Sequence, residues 1–154
     1  MHKHRYTIGI TSVLLSGLFL ISEIPIYIRQ LKHPEILWFY HFTLKYHLAG
    51  WIIGILLLVA GILVILKYRH SQLLYFIFGV SVIFENVFRV LDQLTFLPLI
   101  ILSFGWGVFS IVIAVSKKWK ERLNWQTNIN RNTLITLILI SLIITILPRL
   151  TLNM

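Results

Sequence analysis

Long apolar stretches separated by short polar segments are the main pattern of this sequence. The five stretches cover residues 6–28, 48–66, 71–92, 94–115 and 133–148. Each approaches the roughly 20 residues that a helix needs to cross a bilayer. The first is too long for the apolar core of a signal peptide and has no small-residue cleavage site after it, so we expect an uncleaved helix. The pattern predicts a single all-α domain over residues 1–154, an integral membrane bundle of about five transmembrane helices.

The connection between the first two stretches, residues 29–47, is rich in aromatic residues mixed with charges. Trp and Tyr favour the headgroup level of a membrane, where a ring is partly in water and partly in hydrocarbon. Pro34 followed by Glu35 is typical of a helix start. We therefore expect a short interfacial helix in this first outer loop, either separate or continuing into the second span.

Three glycines in the second span lie on one helical stripe. Gly50 and Gly54 form a GxxxG pair, and Gly61 follows seven residues after Gly54. Small residues at this spacing allow another helix backbone to approach closely. The stripe predicts a helix-packing face, either on a neighbour within the chain or in a dimer.

The composition excludes most other classes of protein. Of the 154 residues, 58% are hydrophobic and 12% are charged, and the mean hydropathy is +0.86. Soluble domains are about 45–50% apolar and about 25% charged. A soluble enzyme, a DNA-binding domain and a disordered chain are therefore all disfavoured. The sequence has no cysteine, which rules out disulfides and cysteine-ligated metal centres.

The net charge of +9 comes from 14 Lys and Arg residues that lie between the apolar stretches. With five spans, one side holds the N-terminus and the segments 67–70 and 116–132, which together carry nine of these bases, and the other side carries five. The positive-inside rule then predicts a cytoplasmic N-terminus and an outside C-terminus. Bases beside a membrane indicate contact with anionic lipid headgroups rather than with nucleic acid.

A group of polar residues is predicted to lie near the outer face of the membrane. Glu85 is about 21 Å along its helix from Ser71, at about 1.5 Å per residue, and Glu23 reaches a similar depth on the first helix. Glu85 precedes Arg89 by four residues, a favourable spacing for a helical ion pair. The candidate outer-leaflet cluster is Glu23, His47, Glu85, Arg89, Asp92 and Arg149. It is either a set of interfacial groups or a small outward-facing site for an ion, a headgroup or a peptide.

The sequence offers no catalytic or metal-ligating constellation. Asp92 is the only aspartate, whereas an aspartyl peptidase needs two carboxylates at one site. Among the histidines, His47 alone is placed near the depth of a membrane serine, so a serine nucleophile with a histidine base is not expected. The remaining histidines lie in terminal or loop segments, and we expect no metal and no cofactor.

These observations predict a small non-enzymatic multi-pass protein of a bacterial plasma membrane that acts through protein or lipid contacts. A bacteriocin-immunity type of protection and an accessory-subunit role both fit this class. Two alternatives stay open. One is a small transporter or channel using Glu23, Glu85, Arg89 and Asp92, which would need a water-filled cavity at Glu85. The other is a lipid-modifying enzyme, which would need a lipid-sized groove beside the same helix face. The expected partners are membrane lipids, and another membrane protein or a peptide.

Overall fold

The computed structural model describes residues 2–32, 37–91, 97–125 and 129–151, and the side chains of residues 4–21, 48–88, 90, 101–125 and 129–150. Within these ranges all regular secondary structure is helical. The helices are α1 (His2–Lys32), α2 (Leu37–Ile65), α3 (Ser71–Leu91), α4 (Leu97–Val115), α5 (Lys117–Leu123) and α6 (Arg131–Thr151). The predicted all-α class is therefore confirmed.

Four of these helices are long and apolar enough to cross a membrane: α1, α2, α3 and α6. A fifth crossing is reached if α4 is counted together with α5, which is bent from it by 78°. Large apolar side chains also cover the outside of the bundle, as at Leu18, Leu102 and Ile143. Contiguous apolar surface of this extent is unusual on a soluble monomer. The fold fits a multi-pass membrane protein.

The helix predicted in residues 29–47 takes the second of its two expected forms and continues into the second span, since α2 begins at Leu37 and runs unbroken to Ile65, a stretch that contains no proline. A separate short helix, α5, lies within segment 116–132 and is not predicted from the sequence. Ser116 is extended between α4 and α5, and Asn124 ends α5 in the left-handed conformation at φ 56°. Asparagine tolerates that conformation better than most residues.

Helix α3 occupies the centre of the bundle. It contacts α2, α4 and α6, and 67% of the residues in its apolar window are buried, against 28% for α1 and 22% for α6. The central position places the described polar side chains of α3 against a neighbouring helix or at an end of the bundle. The polar residues of this helix therefore determine where a site can form.

Helices α1 and α2 approach each other closely through glycine. A Cβ atom added to Gly9 would lie 2.9 Å from the carbonyl oxygen of Gly61, and one added to Gly61 would lie 2.9 Å from that of Gly9. Further along the same interface, a Cβ on Gly54 would lie 2.9 Å from Leu20 Cδ2. Gly50 is also buried. The glycine stripe of α2 thus faces α1 of the same chain at Gly54 and Gly61.

Helices α3 and α4 are antiparallel and meet at three levels. The paired residues are Gln72 with Ala114, Gly79 with Gly107, and Asn86 with Ser103. On α3 these residues are seven positions apart, which keeps one stripe facing a partner helix over its whole length. The middle level brings two backbones together, since a Cβ on Gly79 would lie 2.6 Å from the carbonyl oxygen of Gly107. At the other two levels the helices are joined by hydrogen bonds, which Gln72 donates to the carbonyl oxygen of Ala114 and Ser103 donates to Asn86 Oδ1.

We expect Gly54→Leu to lower the stability of the protein in detergent by about 1–3 kcal/mol, the usual cost of overpacking. The new side chain would collide with Phe19 and Leu20 of α1. Gly17→Leu is the matched control, because nothing lies within 4 Å of a Cβ at Gly17. Thermal unfolding of both variants checks the prediction. Equal melting curves would mean that α1 and α2 can separate at Gly54 without cost.

Candidate functional site

Helices α3 and α6 run parallel and share a seam of polar side chains. Ser141 Oγ donates a hydrogen bond of 3.2 Å to the carbonyl oxygen of Ile77, and Arg149 contacts Glu85 two turns further on. Both pairs are separated by 64 residues, so the two helices keep one register. Ser81 and Thr145 have the same separation and lie at the level between them, and both are fully buried. We call these six residues the α3–α6 seam.

The small hydroxyl side chains of the seam explain how the helices can pack closely despite being polar. Thr145 Oγ1 donates to the carbonyl oxygen of Ser141 at 3.2 Å and to that of Leu142 at 3.0 Å, both on its own helix. Such bonds within the helix satisfy a hydroxyl in an apolar environment. Ser81 Oγ is buried and has no hydrogen-bond partner among the described residues. The hydroxyls of Ser141 and Thr145 are therefore hydrogen-bonded, whereas that of Ser81 has no partner among the described residues.

A buried ion pair between Glu85 and Arg149 lies at one end of the seam. Arg149 Nη1 donates to Glu85 Oε2 at 3.0 Å and to the carbonyl oxygen of Thr145 at 2.5 Å. The guanidinium carbon of Arg149 also lies 4.6 Å from the ring centroid of Phe88, a cation–π distance. Glu85 is 5% exposed, and the Arg149 side chain is 14% exposed. The carboxylate, a backbone carbonyl and an aromatic face thus hold one guanidinium between two helices.

The structure brings together two of the six residues in the predicted outer-leaflet cluster, Glu85 and Arg149. The side chains of Glu23, His47 and Arg89 lie outside the described residues, as does the whole of Asp92. The Glu85–Arg89 pair therefore stays a prediction, and the observed contact of Glu85 is with a different arginine on another helix.

Sequence reasoning missed the rest of the seam, although a signal for it was present. Ser141, Thr145 and Arg149 are four residues apart on α6, and Ser81 and Glu85 are four apart on α3. Residues with this spacing share one face of a helix. Two polar stripes of equal spacing in two apolar helices indicate that the stripes face each other.

The opposite end of the bundle carries a second polar group, formed by the first residues of α1 and α3. Arg5 donates to the carbonyl oxygen of Leu123 at the end of α5. Tyr75 shares a hydrogen bond of 2.5 Å with Ser12, and Trp125 Nε1 donates to Ser71 Oγ at 2.8 Å. These contacts fix the segment after α5 against α1 and α3.

Helix α5 presents a mixed surface at this end. Trp119 is half-buried, meets His4 edge to face at 6.2 Å, and has the Arg122 guanidinium 5.3 Å from its ring centroid. Leu123 is buried beneath it, whereas Lys117 is exposed. The helix therefore turns Leu123 inward and Lys117 and Lys118 outward, with Trp119 and Arg122 between them.

The chemistry of the described residues is that of helix association and charge pairing. Within the described ranges, no group of three or more His, Asp or Glu side chains could hold a metal ion. Comparison of the chain with known protein families, curated proteins and solved structures finds no match. Arguments about function therefore depend on the geometry of the seam and of the α5 surface.

Proposed function

We propose that the chain is a non-enzymatic, multi-pass protein of a bacterial plasma membrane that acts through contacts with lipids or with other membrane proteins. The observation that supports this most is the Glu85–Arg149 pair. A charge inside a span is costly and in most cases has a specific purpose. Here the guanidinium bonds to a carboxylate and to a backbone carbonyl, and it packs on Phe88. The purpose that fits these contacts is to join α6 to α3.

The outer surface of the bundle supports a contact role in the membrane. Large apolar side chains on α4 are exposed, including Leu102, Val108 and Val112, and α6 exposes Leu139 and Ile143. Such faces suit lipid or another apolar helix. Within this class, protection of the bacteriocin-immunity type and an accessory-subunit role are the two forms that we propose, with a membrane-active peptide or a larger membrane protein as partner.

The α3–α6 seam favours a second candidate, a small transporter or channel. Hydroxyl groups at Ser141, Thr145 and Ser81 lead toward the Glu85 carboxylate, and Ser81 Oγ has no hydrogen-bond partner among the described residues. Buried hydroxyls and a carboxylate are the kind of groups that line ion and proton paths. This candidate requires the ion pair to open, whereas the contact role requires it to stay closed.

A flux measurement separates the two candidates. In sealed vesicles containing the purified chain, we expect proton, sodium and potassium leak no faster than in protein-free vesicles, followed with ion-sensitive dyes trapped inside. Flux that falls in Glu85→Gln but not in Glu121→Gln, an exposed carboxylate on α5, would overturn the contact role in favour of transport. Flux that persists in Glu85→Gln would also contradict the contact role and would exclude the seam as the path.

We further propose that the N-terminus and the α5 end of the bundle face the cytoplasm, because they carry nine of the 14 Lys and Arg residues. A reporter fused after Met154 is then expected to register outside, and one inserted in segment 116–132 is expected to register inside. Paired phosphatase and fluorescent-protein fusions measure this. Reversed signals would invert the orientation.

A further inference from the structure

We propose that α5 and the α2–α3 turn form one surface that binds the phosphate headgroups of anionic phospholipids. This proposal rests on the membrane contact role proposed above and identifies the part of the chain that makes the lipid contact. Its cations are Lys67 and Arg69 on the turn, and Lys117, Lys118, Lys120 and Arg122 on α5. Among its described residues, Glu121 is the one carboxylate. We call these residues the basic surface.

The two parts of the basic surface are held next to each other by contacts beneath it. Trp125, two residues after α5 ends, donates from Nε1 to Ser71 Oγ at the start of α3. Ser71 Oγ in turn donates to the carbonyl oxygen of Tyr68 within the turn, at 2.8 Å. At the last residue of α5, Arg5 of α1 donates a hydrogen bond to the carbonyl oxygen of Leu123. Cations from distant parts of the sequence therefore share one end of the bundle.

The axis of α5 has the orientation expected of a helix that lies along a membrane surface. It is bent by 78° from α4, so that an α4 crossing the bilayer along its normal leaves α5 nearly in the plane of the headgroups. Trp119 then lies at the depth that tryptophan prefers in membranes. Its contacts with His4 and Arg122 keep the ring at the boundary between the bundle and the cations.

The position of the cations along the chain favours a lipid over a nucleic acid. Leu66 is 67% exposed and directly precedes Lys67, and Val115 is 49% exposed and lies two residues before Lys117. Exposed apolar side chains therefore continue up to the residues at which the cations begin, at the ends of α2 and α4. That succession matches the change from hydrocarbon to phosphate in a membrane leaflet. A nucleic-acid surface would not need apolar groups at its edge.

Tryptophan quenching by brominated lipids tests the proposal on the full chain. The chain has five tryptophans, so quenching in phosphatidylcholine vesicles that contain brominated phosphatidylglycerol gives the relative association of the two lipids. We expect phosphatidylglycerol to associate about tenfold more strongly at low salt, and this preference to shrink toward one in 0.5 M sodium chloride through screening.

Matched variants locate the preference on the basic surface. The double variant Lys117→Gln, Lys118→Gln is expected to reduce it by about fivefold, because each cation close to an anionic membrane contributes attraction. Glu121→Gln is expected to raise it, and Lys45→Gln, in the half of α2 far from the turn, is expected to leave it unchanged. Because Lys117, Lys118 and Glu121 are exposed, helix content by circular dichroism should be the same in the variants of these three residues as in the unmodified chain.

Two outcomes would overturn the proposal. Equal association of the two lipids with the unmodified chain would show that the surface binds no anionic headgroup, while a contact role through a protein partner would be unaffected. If Lys45→Gln reduces the preference for phosphatidylglycerol as much as the Lys117, Lys118 double variant does, the lipid contact lies elsewhere on the chain. The ion-flux measurement that tests the contact role uses Glu85 variants and not these lysines. The contact role and the lipid-binding proposal can therefore fail separately.

Discussion

Arg149→Leu is expected to lower the free energy of unfolding by about 3–5 kcal/mol, the typical loss when one member of a buried ion pair is removed. The substitution takes the guanidinium away from Glu85, from the Thr145 carbonyl oxygen and from the Phe88 ring at once. Glu85→Leu should cost a similar amount. The double variant should be more stable than either single variant, because an apolar pair avoids the desolvation of two charges.

The measurement is a double-mutant cycle on reversible unfolding in detergent. Arg131→Leu at the other end of α6 is the control, since this arginine is exposed and a surface change is expected to stay within about 0.5 kcal/mol. If the two single losses simply add in the double variant, Glu85 and Arg149 are not coupled. The contact between α3 and α6 would then depend on the rest of their interface, including apolar residues such as Ile77 and Leu137.

Gly79→Leu is expected to destabilise the protein by about 3 kcal/mol or more, at the upper end of the range for overpacking. A Cβ at this position would lie 2.6 Å from the Gly107 carbonyl oxygen and 2.7 Å from Ile111 Cγ1. The first of these is backbone, which cannot move aside without shifting α4. At Gly54, by contrast, the nearest atom belongs to a flexible leucine.

Gly105→Leu is the matched control for this substitution, because it lies on the same helix pair and nothing is within 4 Å of its Cβ. Thermal unfolding of the two variants in one detergent should separate them clearly. Similar losses in both would mean that the approach of α3 to α4 at Gly79 does not determine the effect; helix preference could not explain them, since leucine is a better helix former than glycine.

The helical class and the apolar spans could be predicted from the sequence because they depend on local properties. A bilayer-length run of apolar residues predicts a helix whatever its neighbours are. Local spacing also identified Gly54 and Gly61 as residues of a packing face, although not which helix they meet. That choice depends on how the whole chain folds, which the pattern within α2 does not contain.

The partner of Glu85 shows the same limit. Sequence spacing offers Arg89 at four residues, which is a local contact that any helix could make. Arg149 is 64 residues away and becomes a neighbour only because α3 and α6 run parallel. Helix α5 was missed for another reason. Its seven residues are too few to show a periodic pattern, and contacts of Arg5 and Trp125 with other elements hold it in place.

The 64 residues between Glu85 and Arg149 also determine when the two side chains can meet during synthesis of the chain. Ribosomes add about 5–20 residues per second, so that about 3–13 s pass between the two positions. Helices α1–α4 are all made before α6, which therefore joins an assembly that already contains the Glu85 carboxylate. The Glu85–Arg149 contact can therefore form only after α1–α5 have been made. A slower passage of the ribosome through this stretch would lengthen the time during which the unfinished bundle is open to membrane proteases.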